Sequence, residues 1–178
     1  IELNRLLDER LSRLRSMHLN ASKGKQFHLE SQILPGIAAY ETLQTVMPKD
    51  EALQTVHGYV AEHAWTMRKT ILKLLKVPGL YHLQPVLFSK LTPKFYGETA
   101  GFAATEYQTS GGVWRIDMTK CPYHDTCVEH GCPELCPCFC DSDDIAYDDL
   151  HPKLVWHRTK TLGRGNECCD FCLKLAGK

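Results

Sequence analysis

The chain of 178 residues has neither a net charge nor a long apolar run, and these two absences exclude several classes of function. Lys plus Arg equals Asp plus Glu at 21 each, and no polybasic run gives the positive surface that nucleic-acid binding usually needs. No apolar stretch reaches the roughly 18 residues that span a bilayer. The opening stretch IELNRLLDERLSRLR is too charged for a signal peptide. We therefore expect a cytoplasmic protein that binds neither nucleic acid nor a membrane.

The nine cysteines lack the spacing of a standard structural zinc site. Such sites usually pair two C-x₂-C motifs, and this chain has one, Cys169–Cys172. An odd number of cysteines also suits a disulfide framework poorly, and such frameworks are typical of shorter secreted chains. We expect reduced thiols without a structural disulfide. Burial as small apolar side chains is the expected role of most of them, and metal binding and catalysis remain open for the rest.

Hydrophobic periodicity predicts helices in the first half of the chain. Leucines spaced by three or four residues predict a helix over residues 1–18, and a second helical region runs from about Gln26 to Val46 with a kink or break at residues 34–36. A third, long helix is predicted to begin with Asp50 as its N-cap and to end at Pro78-Gly79. The apolar segment that follows is expected to be helical in part.

After residue 93 the pattern changes to alternation, which predicts strands. Two strands are expected around a Ser-Gly-Gly turn at residues 110–112, and two more near the C-terminus in KLVWHRTKTLGRG and NECCDFCLKL. Two short helices separated by Gly131 are expected between them. The pattern predicts an α+β fold in a single domain over residues 1–178. Its helical half, 1–92, would pack on the antiparallel sheet of the strand- and cysteine-rich half, 93–178.

Six of the nine cysteines lie in CPYHDTCVEHGCPELCPCFC, residues 121–140. If the part after Pro133 is helical, Cys136 and Cys140 share a face and Cys138 points away; in a strand all three would share a face. Acidic residues follow directly. We expect Cys136, Cys140 and Cys169 to meet in space near this acidic cluster, as metal ligands or as a reactive thiol site.

The C-terminal third of the sequence resembles the L-2-amino-thiazoline-4-carboxylic acid hydrolase family. The elements that carry the resemblance are Cys121-Pro122-Tyr123, Gly131, Pro133-Glu134-Leu135, Cys140 with the acids after it, Arg158-Thr159, Thr161, Gly165 and Cys169-Asp170-Phe171. LPGIAAYETLQ and LLKVPGLYHLQPVLFSKL resemble the helical half of the family. The resemblance implies a cysteine-rich, cytoplasmic bacterial hydrolase of a five-membered cyclic isothiourea. The family is also similar to vinyl-reductase-associated small-molecule-binding domains.

Ring opening of such a substrate needs a nucleophile at the carbon flanked by N, N and S, and a proton for the leaving atom. Cys140 is the candidate nucleophile, with Asp143, Asp144 or His151 moving the proton. Each of these residues also has a purely structural interpretation: Cys140 as a buried thiol, Asp143 and Asp144 as a solvated helix end, and His151 as a turn residue. Water activated by zinc or iron on Cys136, Cys140 and Cys169 is the other route.

Two further residues are candidates for substrate binding. Arg158 could hold the substrate carboxylate in a bidentate pair, or form only a surface ion pair. Glu134 could contact the substrate, or only favour the start of a helix. The expected partner is a small-molecule substrate, and a homodimer remains open. The alternative function is a non-catalytic domain that senses a small molecule or a metal through the same cysteines.

Overall fold

Helices occupy the first half of the protein. A computed structural model of the chain describes residues 2–107 and 111–177. The helices of this half are α1 (Glu2–Met17), α2 (Lys23–His28), α3 (Leu34–Leu43), α4 (Lys49–Leu75) and α5 (Gln84–Phe95). A π-helical turn, Leu29–Ile33, joins α2 to α3. The kink expected at residues 34–36 is thus a change of helical pitch just before Pro35, which lies in the first turn of α3 and has no backbone N–H to donate to the preceding π-helical turn.

The predicted N-cap of the long helix is wrong by two residues. Pro48 has extended backbone angles and precedes α4, so the helix begins at Lys49 and Asp50 lies inside its first turn. A carboxylate in this position still favours the helix, because it lies near the positive end of the helix dipole. Gly79 ends the segment with a left-handed φ of 82°, which a residue with a Cβ rarely adopts.

The second half forms a sheet and two further helices. The strands are β1 (Ala103–Glu106), β2 (Val113–Lys120), β3 (Leu154–His157) and β4 (Cys169–Leu175), and the helices are α6 (Pro122–Glu129) and α7 (Cys136–Tyr147). The sheet order is β1-β2-β4-β3, and all three pairings are antiparallel. Ser110 of the expected β-turn lies outside the described residues. The α+β prediction is confirmed: the helices are largely N-terminal and the sheet is C-terminal.

Two apolar clusters form the core, and α7 lies between them. The first cluster joins α1, α3, α4 and α6 to the start of α7 through Cys136, Cys138 and Phe139. The second covers one face of the sheet with residues of α4 and α5, and Tyr147 at the end of α7 packs against it. Within the described part of the chain, no helix has the length and apolarity to cross a membrane.

Candidate active site

Helix α7 brings two of the predicted site cysteines onto one face. Cys136 and Cys140 are four residues apart, and their sulfurs lie on the same side of the helix, against Gly163, where each affects the pKa of the other. Cys138 is buried on another side of the helix, where it interacts with Asp141 and Arg164 instead. The prediction that the first two cysteines share a face without Cys138 is confirmed.

The thiol pair belongs to a longer thiol chain of four cysteines. Cys136 also interacts with Cys127 of α6, and Cys127 interacts with Cys132 in the loop between α6 and α7. Hydrogen bonding to Cys136, followed by burial, raises the pKa of Cys140. Hydrogen bonding to the next thiol and burial raise the pKa of Cys136 and Cys127 in the same way. The pKa of Cys132, at the end of the thiol chain, is lowered because its sulfur accepts from Cys127.

Gly163 packs directly against two sulfurs of the thiol chain. A Cβ at this position would lie 2.9 Å from Cys136 Sγ and 2.9 Å from Cys140 Sγ, closer than real side-chain contacts. The 3-10 turn Leu162–Arg164 therefore packs its backbone directly on the two sulfurs, which only glycine permits without displacing them.

Cys169, the third predicted cysteine, is also near Cys140, but it has a different partner. It pairs with Met118 across the sheet, and its sulfur accepts a hydrogen bond of 3.2 Å from the Leu162 backbone N–H. Burial, with a smaller contribution from Cys140, raises the pKa of Cys169 to about 11. Within the described residues, the three sulfurs of Cys136, Cys140 and Cys169 do not form a group of metal ligands within 4.8 Å of one another.

A buried guanidinium, Arg158, connects α7 to the strand β3. The Arg158 Nη1 donates to Asp143 Oδ2 at 3.2 Å, and Nη2 donates to Asp144 Oδ2 at 2.5 Å and to the Cys140 carbonyl at 2.7 Å. Only 1% of the Arg158 side chain is accessible to solvent, so this is not a surface ion pair. Its Nε is buried and has no hydrogen-bond partner within the described residues.

The two carboxylates that bind Arg158 differ in their surroundings. Asp144 Oδ1 accepts a hydrogen bond of 2.8 Å from the indole of Trp156, so both of its oxygens are engaged. Within the described residues, one oxygen of the Asp143 carboxylate has no protein donor, and Asp143 lines a small cavity. About a third of the Asp143 side chain, 36%, is accessible, and the rest is packed among protein atoms.

Aromatic side chains form the wall of this cavity, whose volume is about 60 Å³. Five of the rings form a closed circuit with centroid separations of 5.0 to 6.3 Å: Phe88, Trp114, Phe171, Trp156 and Tyr147. Tyr96, Thr92, Ile116 and Met118 complete the lining. We call this site the aromatic cavity. Asp143 is its one charged lining residue in the described part of the chain.

Burial in the aromatic cavity raises the pKa of Asp143 to about 6, with Arg158 acting in the opposite direction and Asp144 adding to the rise. A carboxyl group with this pKa changes its protonation state near neutral pH, as a general base or acid must. Burial and the Asp143 charge also raise the pKa of Tyr96, to about 12. The cavity thus offers a titrating carboxylate next to a protonated phenol.

Two predicted site residues lie elsewhere. The ring of His151 stacks on Tyr81 with centroids 4.3 Å apart, and its Nδ1 accepts from the Lys153 backbone N–H at 3.0 Å. Glu134 accepts from Tyr40 at 2.8 Å and pairs with Lys49 at 2.7 Å. Burial alone would raise the pKa of Glu134, but these partners outweigh it and lower the pKa. Neither residue lines the aromatic cavity.

A larger groove of about 600 Å³ runs between α3 and α4, on another side of α7. Its lining is mostly apolar, with Gly36, Phe139 and Ser142 at its inner wall. Its titratable lining residues are Tyr59 and His63, and no acid or thiol reaches it within the described residues. Size favours this groove as a ligand site, but the carboxylate and phenol groups that can transfer protons line the aromatic cavity.

The sequence profile of the L-2-amino-thiazoline-4-carboxylic acid hydrolase family matches residues 26–173. The chain belongs to this family. The match includes the thiol chain, the aromatic cavity and Arg158, and it begins after α1. A comparison with curated proteins found no match. The name of the family indicates hydrolysis of a small molecule.

Several residues of this site were not predicted from the sequence. The sequence did not predict that Cys127 lies between two other thiols, because these partners are five and nine residues away across a turn. The aromatic walls come from α5, β2, α7, β3 and β4, and only a tertiary structure brings them together. The available signal was the number of aromatic residues on strand positions of the buried face, such as Trp114 and Trp156.

Proposed function

We propose that the protein hydrolyses a small cyclic amidine of the 2-amino-thiazoline class, with L-2-amino-thiazoline-4-carboxylate as the reference substrate. One observation carries the proposal: a single carboxylate, Asp143, faces a cavity otherwise lined mainly by aromatic rings. A protonated 2-amino-thiazoline is a flat cation with N–H groups on one edge. Aromatic faces attract such a cation, and a carboxylate accepts its N–H groups.

The size of the aromatic cavity agrees with the ring of this substrate. One water-sized group occupies about 10–15 Å³ of such volume, so about four to six non-hydrogen atoms fit. A five-membered ring with an exocyclic amine has this size. The carboxylate of the substrate would then extend beyond the rings, and Arg158, whose buried Nε has no partner in the described residues, is the candidate to bind it.

In the proposed reaction, water attacks the carbon between N, N and S while Asp143 removes a proton from that water. The tetrahedral intermediate then loses either its ring C–N or its ring C–S bond. The protonated Asp143 returns the proton to the leaving nitrogen or sulfur, so one water is added overall. Arg158 positions the Asp143 carboxylate and supports its charge through the 3.2 Å contact.

A second route uses the thiol of Cys140 as nucleophile, followed by hydrolysis of the covalent adduct. The thiolate is the reactive form, and the raised pKa of Cys140 keeps it protonated until a base removes the proton. Asp143 is close enough to Cys140 to affect its pKa, which makes it the candidate base on this route as well. His151 and Glu134 would act at a distance from the cavity in either route.

A binding role without turnover is the second candidate function. The closed circuit of aromatic rings with one carboxylate also describes a receptor for a flat organic cation. Such a receptor needs no titrating acid, whereas the pKa of Asp143 near 6 is what a proton-transfer step needs. This difference favours the hydrolase.

One experiment distinguishes the hydrolase from the receptor. Purified protein is incubated with L-2-amino-thiazoline-4-carboxylate, and the mixture is followed by mass spectrometry for the addition of one water and by a thiol reagent. Ring opening at C–S releases a free thiol and opening at C–N does not, so the products also identify the bond that breaks. Saturable binding without conversion would support the receptor, and neither binding nor conversion would remove this substrate class.

A further inference from the structure

A second polar cluster lies away from the aromatic cavity, where the end of α1 meets the end of α6. His18 follows α1 directly, and Glu129 and His130 end α6. The Nε2 atoms of the two histidines are 2.9 Å apart, although 112 positions separate these residues in the chain. One carboxylate oxygen of Glu129 lies within 4.8 Å of a ring nitrogen of each histidine. In the described residues this is the one group of three metal-type ligands that converges to this extent.

We infer that His18, Glu129 and His130 form a binding site for a divalent transition metal, with zinc as the preferred ion. Two imidazole nitrogens and one carboxylate are the protein ligands of many zinc sites that leave a fourth position open to water or another ligand. Nitrogen and oxygen donors of this kind also suit cobalt and nickel, whereas calcium and magnesium prefer oxygen alone.

The geometry of the histidine pair is close to what a metal requires. The rings meet by their edges, with planes inclined at 59°, so neither ring covers the nitrogen of the other. Zn–N bonds of about 2.0–2.1 Å at a tetrahedral angle place two nitrogens about 3.4 Å apart. The nitrogens of His18 and His130 therefore need to separate by only about half an ångström from their present contact.

The tautomers of the two imidazoles also allow a ligand role. His18 is 7% exposed, so protein atoms hold its ring in place. In the present contact one Nε2–H donates to the lone pair of the other ring. Moving that proton to the Nδ1 of the same ring frees both lone pairs without changing the net charge. Glu129 supplies a negative charge, and the nearby Lys25 opposes it.

The backbone holds these ligands without the metal. The His18 carbonyl accepts a hydrogen bond of 2.6 Å from the Gln26 side chain, and the His130 N–H donates to the Thr126 carbonyl at 3.0 Å. Gly131, with a φ of 69°, then turns the chain away toward Cys132 of the thiol chain. A metal at this point would tie α1, which lies outside the family match, to the cysteine-rich segment.

Cobalt binding tests the inference, because cysteine sites give a different spectrum. Reduced protein is titrated with Co²⁺ and with Zn²⁺. We expect one equivalent of cobalt with visible d–d bands and no near-ultraviolet thiolate-to-cobalt charge transfer. Zinc at about 100 times its Kd should raise Tm by about 5 °C or more.

The variants are His130→Ala and Glu129→Gln, with His124→Ala on the same helix as the control. Removing a ligand should weaken metal binding at least about tenfold, and the control should leave it unchanged. Because Glu129 is exposed, Glu129→Gln should fold even if His130→Ala does not. Cobalt bands of thiolate type, unchanged affinity in both ligand variants, or no stoichiometric binding by the wild type would each overturn the inference. None of these outcomes depends on hydrolase activity.

Discussion

The Asp143 carboxylate lies 3.2 Å from the Arg158 guanidinium, yet its pKa is raised rather than lowered. An arginine this close normally holds a carboxyl group in its charged form. Here burial outweighs the attraction, because Asp143 faces aromatic rings while Arg158 divides its donors among three acceptors. The result is an acid that titrates near neutral pH and keeps a fixed position.

Asp143→Asn should abolish most of the hydrolase activity. The amide keeps the size of the side chain and its contact with Arg158 but cannot accept a proton, so we expect kcat to fall by about 10²–10⁴. Initial rates of ring opening measure this. Asp144→Asn is the control: Asp144 is bound by Trp156 and Arg158 and does not line the cavity. Equal losses in the two variants would contradict the base role of Asp143.

The pH dependence of activity should follow the same carboxyl group. A base works only when deprotonated, so kcat/KM should rise with pH and level off above about 6, the pKa of Asp143. A profile that is flat from pH 5 to 8 would exclude Asp143 as the titrating group.

Stability should change with pH in the opposite direction. The raised pKa means that the folded state binds the Asp143 proton more tightly than the unfolded state, whose value is near 3.8. The stability gained from this proton is complete below about 3.8 and is lost as the pH rises through about 6. Between these values, the free energy of unfolding of Asp143→Asn should increase relative to that of the wild type as the pH rises. Urea unfolding at several pH values measures the difference, and parallel curves would contradict the pKa shift.

Arg158→Lys should be costly although it keeps the charge. A lysine cannot reach Asp143, Asp144 and the Cys140 carbonyl with the same fork of donors, so buried acceptors lose partners. We expect a loss of about 1–3 kcal/mol in the free energy of unfolding. Arg164→Lys is the control, because its pair with Asp141 is half exposed, and exposed ion pairs contribute about 0–1 kcal/mol. A cost no larger at residue 158 than at residue 164 would show that Arg158 is not a buried anchor.

The sequence predicted the parts of this structure that depend on local patterns. The spacing of apolar residues predicted the helices, and alternation predicted strands such as β2. The four-residue spacing of Cys136 and Cys140 predicted their contact, because a helix places such residues side by side. The start of α4 was misplaced, since Asp50 and Pro48 both suit a helix start and local preference does not decide between them.

Features that depend on tertiary packing could not be predicted in this way. The raised pKa of Asp143 depends on its burial beside aromatic residues from five separate elements, α5, β2, α7, β3 and β4. The His18–His130 contact joins segments 112 positions apart. The role of His151 was predicted from its nearness in sequence to the acids, whereas Leu150 enters the sheet core and His151 stacks on Tyr81.

The cysteines of α7 should differ in their effect on function. Cys140→Ser removes a thiol that bonds to Cys136 and interacts with Asp143, whereas Cys138→Ser changes one that contacts neither. If catalysis uses the thiol, Cys140→Ser loses activity and Cys138→Ser keeps it. If water attacks directly, Cys140→Ser keeps at least about a tenth of the rate, and the thiol route is excluded. Rates and Tm are measured together, so that a loss of folding is recognised.

Gly163 should be intolerant of any side chain because of the two sulfurs beside it. A Cβ there would lie 2.9 Å from Cys136 Sγ and 2.9 Å from Cys140 Sγ, and both are packed against protein on their other sides. Overpacking of this kind costs about 1–3 kcal/mol, which lowers Tm by about 3–10 °C in a chain of this size. Displaced sulfurs should also react faster with a thiol reagent.

Gly58→Ala is the matched control for Gly163→Ala. Gly58 lies within α4, and no heavy atom would come within 4 Å of its added Cβ. Alanine favours a helix over glycine, so this variant should gain about 0.5–1 kcal/mol in the free energy of unfolding. Opposite shifts of Tm in the two variants, with faster thiol modification only in Gly163→Ala, would place residue 163 against the thiol chain. If Gly163→Ala keeps both the Tm and the thiol reactivity of the wild type, the contact between the 3-10 turn and the two sulfurs is not as close as the structure has it.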